Sequence, residues 1–424
     1  MNFKDFKLNK EIEQALVDIK YLLPTPIQEQ AMPLVFDGED VVGIAQTGTG
    51  KTAAFSLPIL QKLLNSKKKT KDQHPRALIL APTRELCAQI GENIKLYSKH
   101  TSITSFIAFG GVSAEPQIEA LKGNVDILIA TPGRLVDLIA QKNVFLNEVE
   151  VLVLDEADHI IEMGLRVDLK KVLKALPKER QNLLFSATMT KEIRATVEEA
   201  FDKGKKKQIG ESGVLGGTKI IEVESEEISL KLIDQNALYL LKEHKIKAML
   251  EILKQKEAKY VIIFTNTKQV ADDIVRSLVK NDIKSFALHS GKSNTHREKV
   301  IRQIGLRELK VVVATDLAAR GLDFEYMTHA INFEIPNSFE KYVHRVGRIG
   351  RAGKQGTAYS LCALHERDAF EKILQSNKYP IITHKHDLHS NLVKTNSKLK
   401  SKKTYFKAKA KQTSGTYSNR KGKR

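Results

Sequence analysis

A chain of 424 residues with 42% apolar content can build two hydrophobic cores, and a single domain of that size would be unusual. Lys plus Arg (69) exceed Asp plus Glu (50) by 19, and the pI near 9.6 favours a polyanionic partner such as nucleic acid or an anionic surface. Most of that excess falls between Lys394 and Arg424, where 12 Lys or Arg stand without an acidic residue. No long apolar run exists and Met1 to Lys10 lacks the apolar core of an export signal, so no membrane role is indicated and a cytoplasmic location is expected. Cys87 and Cys362 lie inside apolar stretches and read as small core residues, neither a disulfide framework nor a zinc site.

In chain order, the first half alternates short β-type runs with longer stretches of helical period, the pattern of a parallel sheet flanked by helices. The runs are Val41 to Ala45, Ala77 to Ala81, Ile103 to Phe109, Asp126 to Ala130, Val151 to Asp155 and Leu183 to Ser186. Thr83-Arg84-Glu85 opens a helix with a capping residue, after which Leu86, Ile90, Ile94 and Tyr97 recur at helical spacing. The basic, glycine-bearing stretch from Asp202 to Gly217 reads as a flexible connection. Further runs follow at Tyr260 to Thr265, Ser285 to His289, Val311 to Thr315, Ala330 to Phe333 and Thr357 to Leu361. Beyond about Pro380 the apolar periodicity fades until no core could be buried. The expected organisation is α/β: a first domain over 1–202, a linker over 203–217, a second domain over 218–380, and a disordered basic tail over 381–424.

Several runs end on residues suited to phosphate or metal, and open parallel sheets build ligand sites at the carboxyl ends of their strands. The first run opens into Ala45-Gln46-Thr47-Gly48-Thr49-Gly50-Lys51-Thr52, a phosphate-loop pattern with Ala45 where Gly is general. Backbone N–H groups of Gly48, Thr49 and Gly50 suit a β-phosphate, Lys51 suits β- and γ-phosphate charge, and the Thr52 hydroxyl suits Mg²⁺. The fifth run delivers Asp155-Glu156-Ala157-Asp158. Adjacent carboxylates at a strand end point in different directions, so Asp155 is expected to hold Mg²⁺ through its water shell and Glu156 to orient or activate the attacking water. Within His344 to Arg351, Arg345, Arg348 and Arg351 recur at a spacing of three. They read as arginine fingers for a γ-phosphate or, alternatively, as a basic patch for nucleic-acid phosphates.

These motifs, with Pro24-Thr25-Pro26-Ile27-Gln28, Ser186-Ala187-Thr188, Ile263 to Thr267 and Ala314 to Asp323, make the chain resemble bacterial DEAD-box RNA helicases over roughly Phe3 to Gly356. The resemblance implies two tandem RecA-like domains that close together on ATP, Mg²⁺ and RNA. It implies that Gln28 hydrogen-bonds the adenine edge with Phe3 packed nearby, that Thr47 belongs to the phosphate loop, and that Asp323 contacts the ribose. Pro82, Thr83, Arg84, Gly111, Thr131, Pro132, Gly133 and Arg134 are implied RNA-backbone contacts of the first domain, and Asn266, Thr315, Arg320 and Gly321 of the second. Ser186, Thr188, Asp158, His344 and Arg351 are implied to couple the ATP site to the RNA face, while Arg345 and Arg348 take the developing γ-phosphate charge. Such residue types suit phosphate and sugar, so sequence-independent binding of single strands and short duplexes is expected.

The expected activity is RNA-stimulated ATP hydrolysis coupled to local duplex separation or ribonucleoprotein remodelling. An ATP-gated RNA clamp is the alternative, with a DNA translocase a weaker third. The tail is expected to tether RNA loosely, with Tyr405, Phe406 and Tyr417 available for stacking. Protein partners in ribosome assembly or RNA decay stay open. Five positions depart from the family pattern: Lys20 stands for Gly, Asn294 for Gln, Ile304 for Phe, Ile349 for Thr, and His159 for the Arg after the tetrad. His159 is expected to be a surface change.

Overall fold

The computed structural model describes residues 2–46, 48–66, 68, 70–201, 214–215, 218–223, 230–319, 326–350 and 355–384. The apolar runs of the first half become β1 (Val41–Ile44), β2 (Ala77–Leu80), β3 (Ser105–Ala108), β4 (Ile127–Ala130), β5 (Val151–Leu154) and β6 (Gln181–Ser186). With β7 (Val214–Leu215) and β8 (Thr218–Glu222) they form one sheet in the order β3-β4-β2-β5-β6-β1-β8-β7, parallel except at the β7–β8 pair. A strand buried on both faces alternates its side chains between two cores, and this accounts for the continuous apolar character of the runs. Ala77 and Ile79 of β2 enter one cluster with Ile27, Phe55 and Ile90, while Leu78 and Leu80 enter the other with Leu135, Ile160 and Val197.

The second sheet comprises β9 (Ile233–Leu240), β10 (Val261–Thr265), β11 (Ser285–Leu288), β12 (Val311–Thr315), β13 (His329–Asn332), β14 (Gly356–Ala363) and β15 (Ile381–His384). Its order is β11-β12-β10-β13-β14-β9-β15, and every pair is parallel. Ile262 and Phe264 of β10 face one core and Val261 and Ile263 the other. Cys87 and Cys362 are buried free thiols, and burial pushes Cys362 up to about 12. The fold class is thus α/β with two tandem RecA-like domains, as expected.

Two boundaries differ from the sequence reading, and one strand was not anticipated. Residues 218–222, placed in the second domain, pair as β8 with β1, Val41 opposite Lys219, so the first sheet extends past the expected linker. Residues 381–384, placed in the tail, form β15 against β9. β9 itself escaped notice because Asp234-Gln235-Asn236 interrupts its apolar character. Gln235 Oε1 accepts from Tyr342 Oη at 2.9 Å and from Asn377 Nδ2 at 2.8 Å, and these bonds make its burial tolerable. The rest of the linker and the tail from 385 onward, including Tyr405, Phe406 and Tyr417, lie outside the described residues. No helix among the described residues is long and apolar enough to cross a membrane.

Candidate active site

The loop after β1 turns on Gly48 and Gly50, at φ +86° and +91°, backbone that glycine adopts at no steric cost. A β-carbon on Gly50 would lie 2.3 Å from Gln28 Nε2, so the close approach of loop and glutamine requires glycine there. The helix Lys51–Asn65 starts immediately after Gly50 with no side-chain cap, which leaves its first N–H groups for an anion. Thr49 Oγ1 donates to Gln46 O and buried Lys51 Nζ to Ala45 O, both at 2.7 Å, and Thr52 follows in the first helical turn. Thr47 lies outside the described residues.

Gln28 is fully buried on the helix Pro26–Phe36. Its Oε1 accepts from Thr25 N at 3.0 Å, and its Nε2 donates to Tyr21 Oη at 2.6 Å and to Gly50 O at 2.8 Å. Both amide hydrogens are engaged within the protein, so one Oε1 lone pair remains for an adenine edge. Gln28 therefore also braces the phosphate loop. Phe3 packs against Tyr21 with ring centroids 5.1 Å apart, and Tyr21 stacks with Tyr97 at 6.4 Å. The sequence reading missed Tyr21; its only signal is an aromatic residue seven positions before Gln28.

At the end of β5, Asp155 and Glu156 are both buried. Glu156 sits at φ 49° and ψ 51° as the N-cap of Ala157–Glu162, left-handed backbone that costs a non-glycine residue about 1 kcal/mol or more. Such strain concentrates at functional sites. Burial pushes the Asp155 carboxyl up to about 7, against the pull of Lys51 and with added repulsion from Glu156. Burial alone would raise Glu156 too, but the His159 ring, then Lys51 and Arg348, outweigh it and bring that carboxyl down to about 2. Asp158 bridges to the neighbouring strand end: its Oδ2 accepts from Ala187 N at 3.1 Å, and Ser186 Oγ accepts from Thr188 N at 3.4 Å. The three candidate coupling residues of the first domain are therefore adjacent. His159 contradicts the expectation of a surface change. It is 3% exposed, with Nδ1 2.7 Å from Glu156 Oε2.

The arginines of the second domain separate into different environments. Arg345 is 1% exposed, and all five of its N–H groups are matched within its own domain. Nε and Nη2 grip Asp316 at 2.5 and 2.9 Å, Nη2 also donates to Asn266 Oδ1 at 2.7 Å, and Nη1 donates to Glu334 O at 2.6 Å and Asn332 Oδ1 at 3.5 Å. This corrects its placement as a phosphate contact: the fork is filled by Asp316, a partner the sequence reading missed. Arg348 stands one turn on, its Nε donating to His344 O at 3.2 Å, near enough to Glu156 for its charge to lower that carboxyl. Arg351 and Asp323 lie outside the described residues.

Among the candidate RNA contacts, Thr83 caps the helix Arg84–Tyr97 and accepts from Leu86 N at 3.3 Å, while Arg84 lies over the Phe109 ring. Pro82 ends the turn after β2, and Thr131, Pro132 and Gly133 begin the helix Pro132–Ala140 after β4. Arg134 differs from expectation: it is buried, donating from Nη2 to Val112 O at 2.7 Å, and so holds the loop that carries Gly111. Asn266 is likewise engaged, its Nδ2 donating to Ile335 O and its Oδ1 accepting from Arg345. Thr315 ends β12, and Arg320 and Gly321 lie outside the described residues.

The two domains meet at this site. His159 and His344 approach edge to face with centroids 5.9 Å apart, and a β-carbon on Gly347 would lie 4.0 Å from Gln46 Oε1. Arg297 pairs with Glu85 at 2.9 Å, a bridge that no local sequence signal announced. The donor set fits a magnesium nucleotide: a glycine cradle, one lysine, a hydroxyl at Thr52 and one strand-end carboxylate at Asp155. Among the described residues no cluster of three or more His, Cys, Asp or Glu could hold a metal alone.

Comparison with known proteins agrees with this geometry. The family described as DEAD/DEAH box helicase matches residues 25–196, and helicase conserved C-terminal domain matches residues 244–353. The DEAD-box ATP-dependent RNA helicase CshA of Streptococcus pneumoniae is 36% identical over 348 residues, 82% of this chain; the chain spans 63% of that relative's length. ATP-dependent RNA helicase CshA of Listeria monocytogenes is 37% identical over 378 residues, 89% of this chain and 69% of the relative. Saccharomyces cerevisiae Dbp5 bound to RNA and ADP BeF3 superimposes with a TM-score of 0.77 at 27% identity, over 90% of this chain and 95% of that one. With both descriptions in order over the two sheets and such identity along most of its length, the chain belongs to the DEAD-box helicase family.

Proposed function

We propose that this protein is an RNA-stimulated ATPase of the RNA helicase type, hydrolysing ATP to ADP and phosphate when its two domains close on RNA. The observation that carries this reading is the split site: the phosphate loop and acidic loop of the first domain meet the arginine segment of the second, where His344 approaches His159 edge to face at 5.9 Å and Gly347 lies beside Gln46. Neither half is complete alone, so hydrolysis depends on closure. Likeness to yeast Dbp5 bound to RNA and ADP BeF3 supports the closed arrangement as the nucleotide-bound one.

In this reading Gly48, Thr49, Gly50 and Lys51 hold the β- and γ-phosphates, Thr52 and Asp155 hold Mg²⁺, and Gln28 meets the adenine. Mg²⁺, when bound, neutralises charge on the phosphate oxygens. Glu156, kept ionised by His159, Lys51 and Arg348, orients the attacking water, and Arg348 faces the γ-phosphate. Arg345 acts indirectly, fixing Asn266 and Asp316 beside the helix end from which the turn bearing Arg348 leaves. Asp158, with Ser186 and Thr188, links the acidic loop to the end of β6, and Thr83, Arg84, Gly111 and Thr131 offer backbone contacts to RNA.

Hydrolysis measured with and without single-stranded RNA, with matched DNA as competitor and Glu156→Gln as the inactive control, tests the reading. Stimulation by RNA and not by DNA is expected. Equal rates with and without RNA would refute RNA-gated closure. A duplex-separation assay beside nucleotide-dependent binding decides between helicase and clamp, since a clamp binds without separating strands.

A further inference from the structure

The side chain that follows the acidic tetrad is enclosed by the site itself. His159 and Glu156 lie three residues apart at the start of one helix, each with a 4% exposed side chain, and Nδ1 of the ring is 2.7 Å from Glu156 Oε2. An ionised carboxylate only accepts, so Nδ1 of the ring must carry a hydrogen toward it. Its Nε2 has no hydrogen-bond partner among the described residues. The ring is thus held by one polar side-chain contact and by the edge-to-face approach of His344 from the other domain, at 5.9 Å and 89°.

We propose that His159 is a positioning residue for Glu156: its Nδ1–H engages Oε2 and leaves Oε1 to the attacking water, and the His344 edge completes that orientation when the domains meet. This rests on the reading above, in which Glu156 orients the water. A glutamate has three rotatable side-chain bonds, and at a left-handed backbone position its carboxylate has no regular helical surroundings to fix it. One bond to a buried ring removes that freedom. In the family pattern an arginine at this place would present a fork of donors; the histidine presents one donor in one direction.

The test uses the full chain and RNA-stimulated ATP hydrolysis in two variants. His159→Phe keeps a ring without a donor, whereas His159→Asn places an amide N–H near the position of Nδ1. His159→Phe is expected to lower kcat by about tenfold or more, the scale of a lost orienting partner, with KM for ATP unchanged and the protein still folded at the assay temperature. His159→Asn should recover most of the rate. Imidazole NMR of the wild type, with the His159 signal assigned by its loss in His159→Asn, should show the Nδ1–H tautomer. A kcat in His159→Phe within about twofold of wild type overturns the proposal, as does equal loss in both variants or an Nε2–H tautomer. Absence of hydrolysis by the wild type would instead refute the ATPase reading, and the NMR result would still judge the contact.

Discussion

Replacing Arg345 by Ala should unfold the second domain early. Arg345→Ala leaves Asp316, Asn266 Oδ1 and Glu334 O without their common donor. Removing one partner of a buried ion pair costs about 3–5 kcal/mol, and since the Asp316 side chain is 20% exposed the lower half of that range applies. At about 2–4 °C per kcal/mol for domains of this size, the loss is ~10 °C in the transition of the second domain. Arg345→Lys keeps the charge but cannot span both Asp316 oxygens, and should fall between wild type and Ala. Calorimetry is the suitable assay because the chain has no Trp and the domains can melt separately. An Arg345→Ala protein that melts within about 2 °C of wild type yet hydrolyses no ATP would refute the bracing role and restore Arg345 as a phosphate contact.

Three further outcomes follow from the same geometry. Gly50→Ala combines φ +91° with a β-carbon 2.3 Å from Gln28 Nε2; affinity for ADP by titration calorimetry should fall at least about tenfold, and wild-type affinity would show that the loop re-forms without that contact. Lys20, standing where the family pattern has Gly, holds φ +56°, so Lys20→Gly should raise stability by about 0.5–1 kcal/mol in chemical denaturation, and a loss would mean that the lysine side chain makes a compensating contact. The Glu85–Arg297 pair joins the domains, and a double-mutant cycle on RNA half-saturation of ATP hydrolysis should give a coupling of about 1 kcal/mol; additive effects would assign the pair no part in closure.

The order of chemistry along the chain was legible before any coordinates, because its units are local. A phosphate loop needs glycines within a few residues of its lysine, and strands buried on both faces declare themselves by unbroken apolar runs such as Val151–Leu154. The pairing of distant segments was not legible. β9 was hidden because Gln235 and Asn236 are tolerable in a core only where partners such as Tyr342 and His384 reach them, and those stand more than a hundred positions away. The first sheet recruits β8 from beyond the expected linker for the same reason: an edge strand is defined by its neighbour.

The sequence by itself therefore determined the fold class, the phosphate loop, the acidic pair and the arginine motif, since spacing along one segment is enough to specify each. Only the tertiary structure decided which arginine is already saturated, that Arg134 turns inward, and that His159 lies against Glu156. A side chain's role depends on which donors and acceptors remain after its neighbours are satisfied, and that remainder is set by contacts from other segments of the chain.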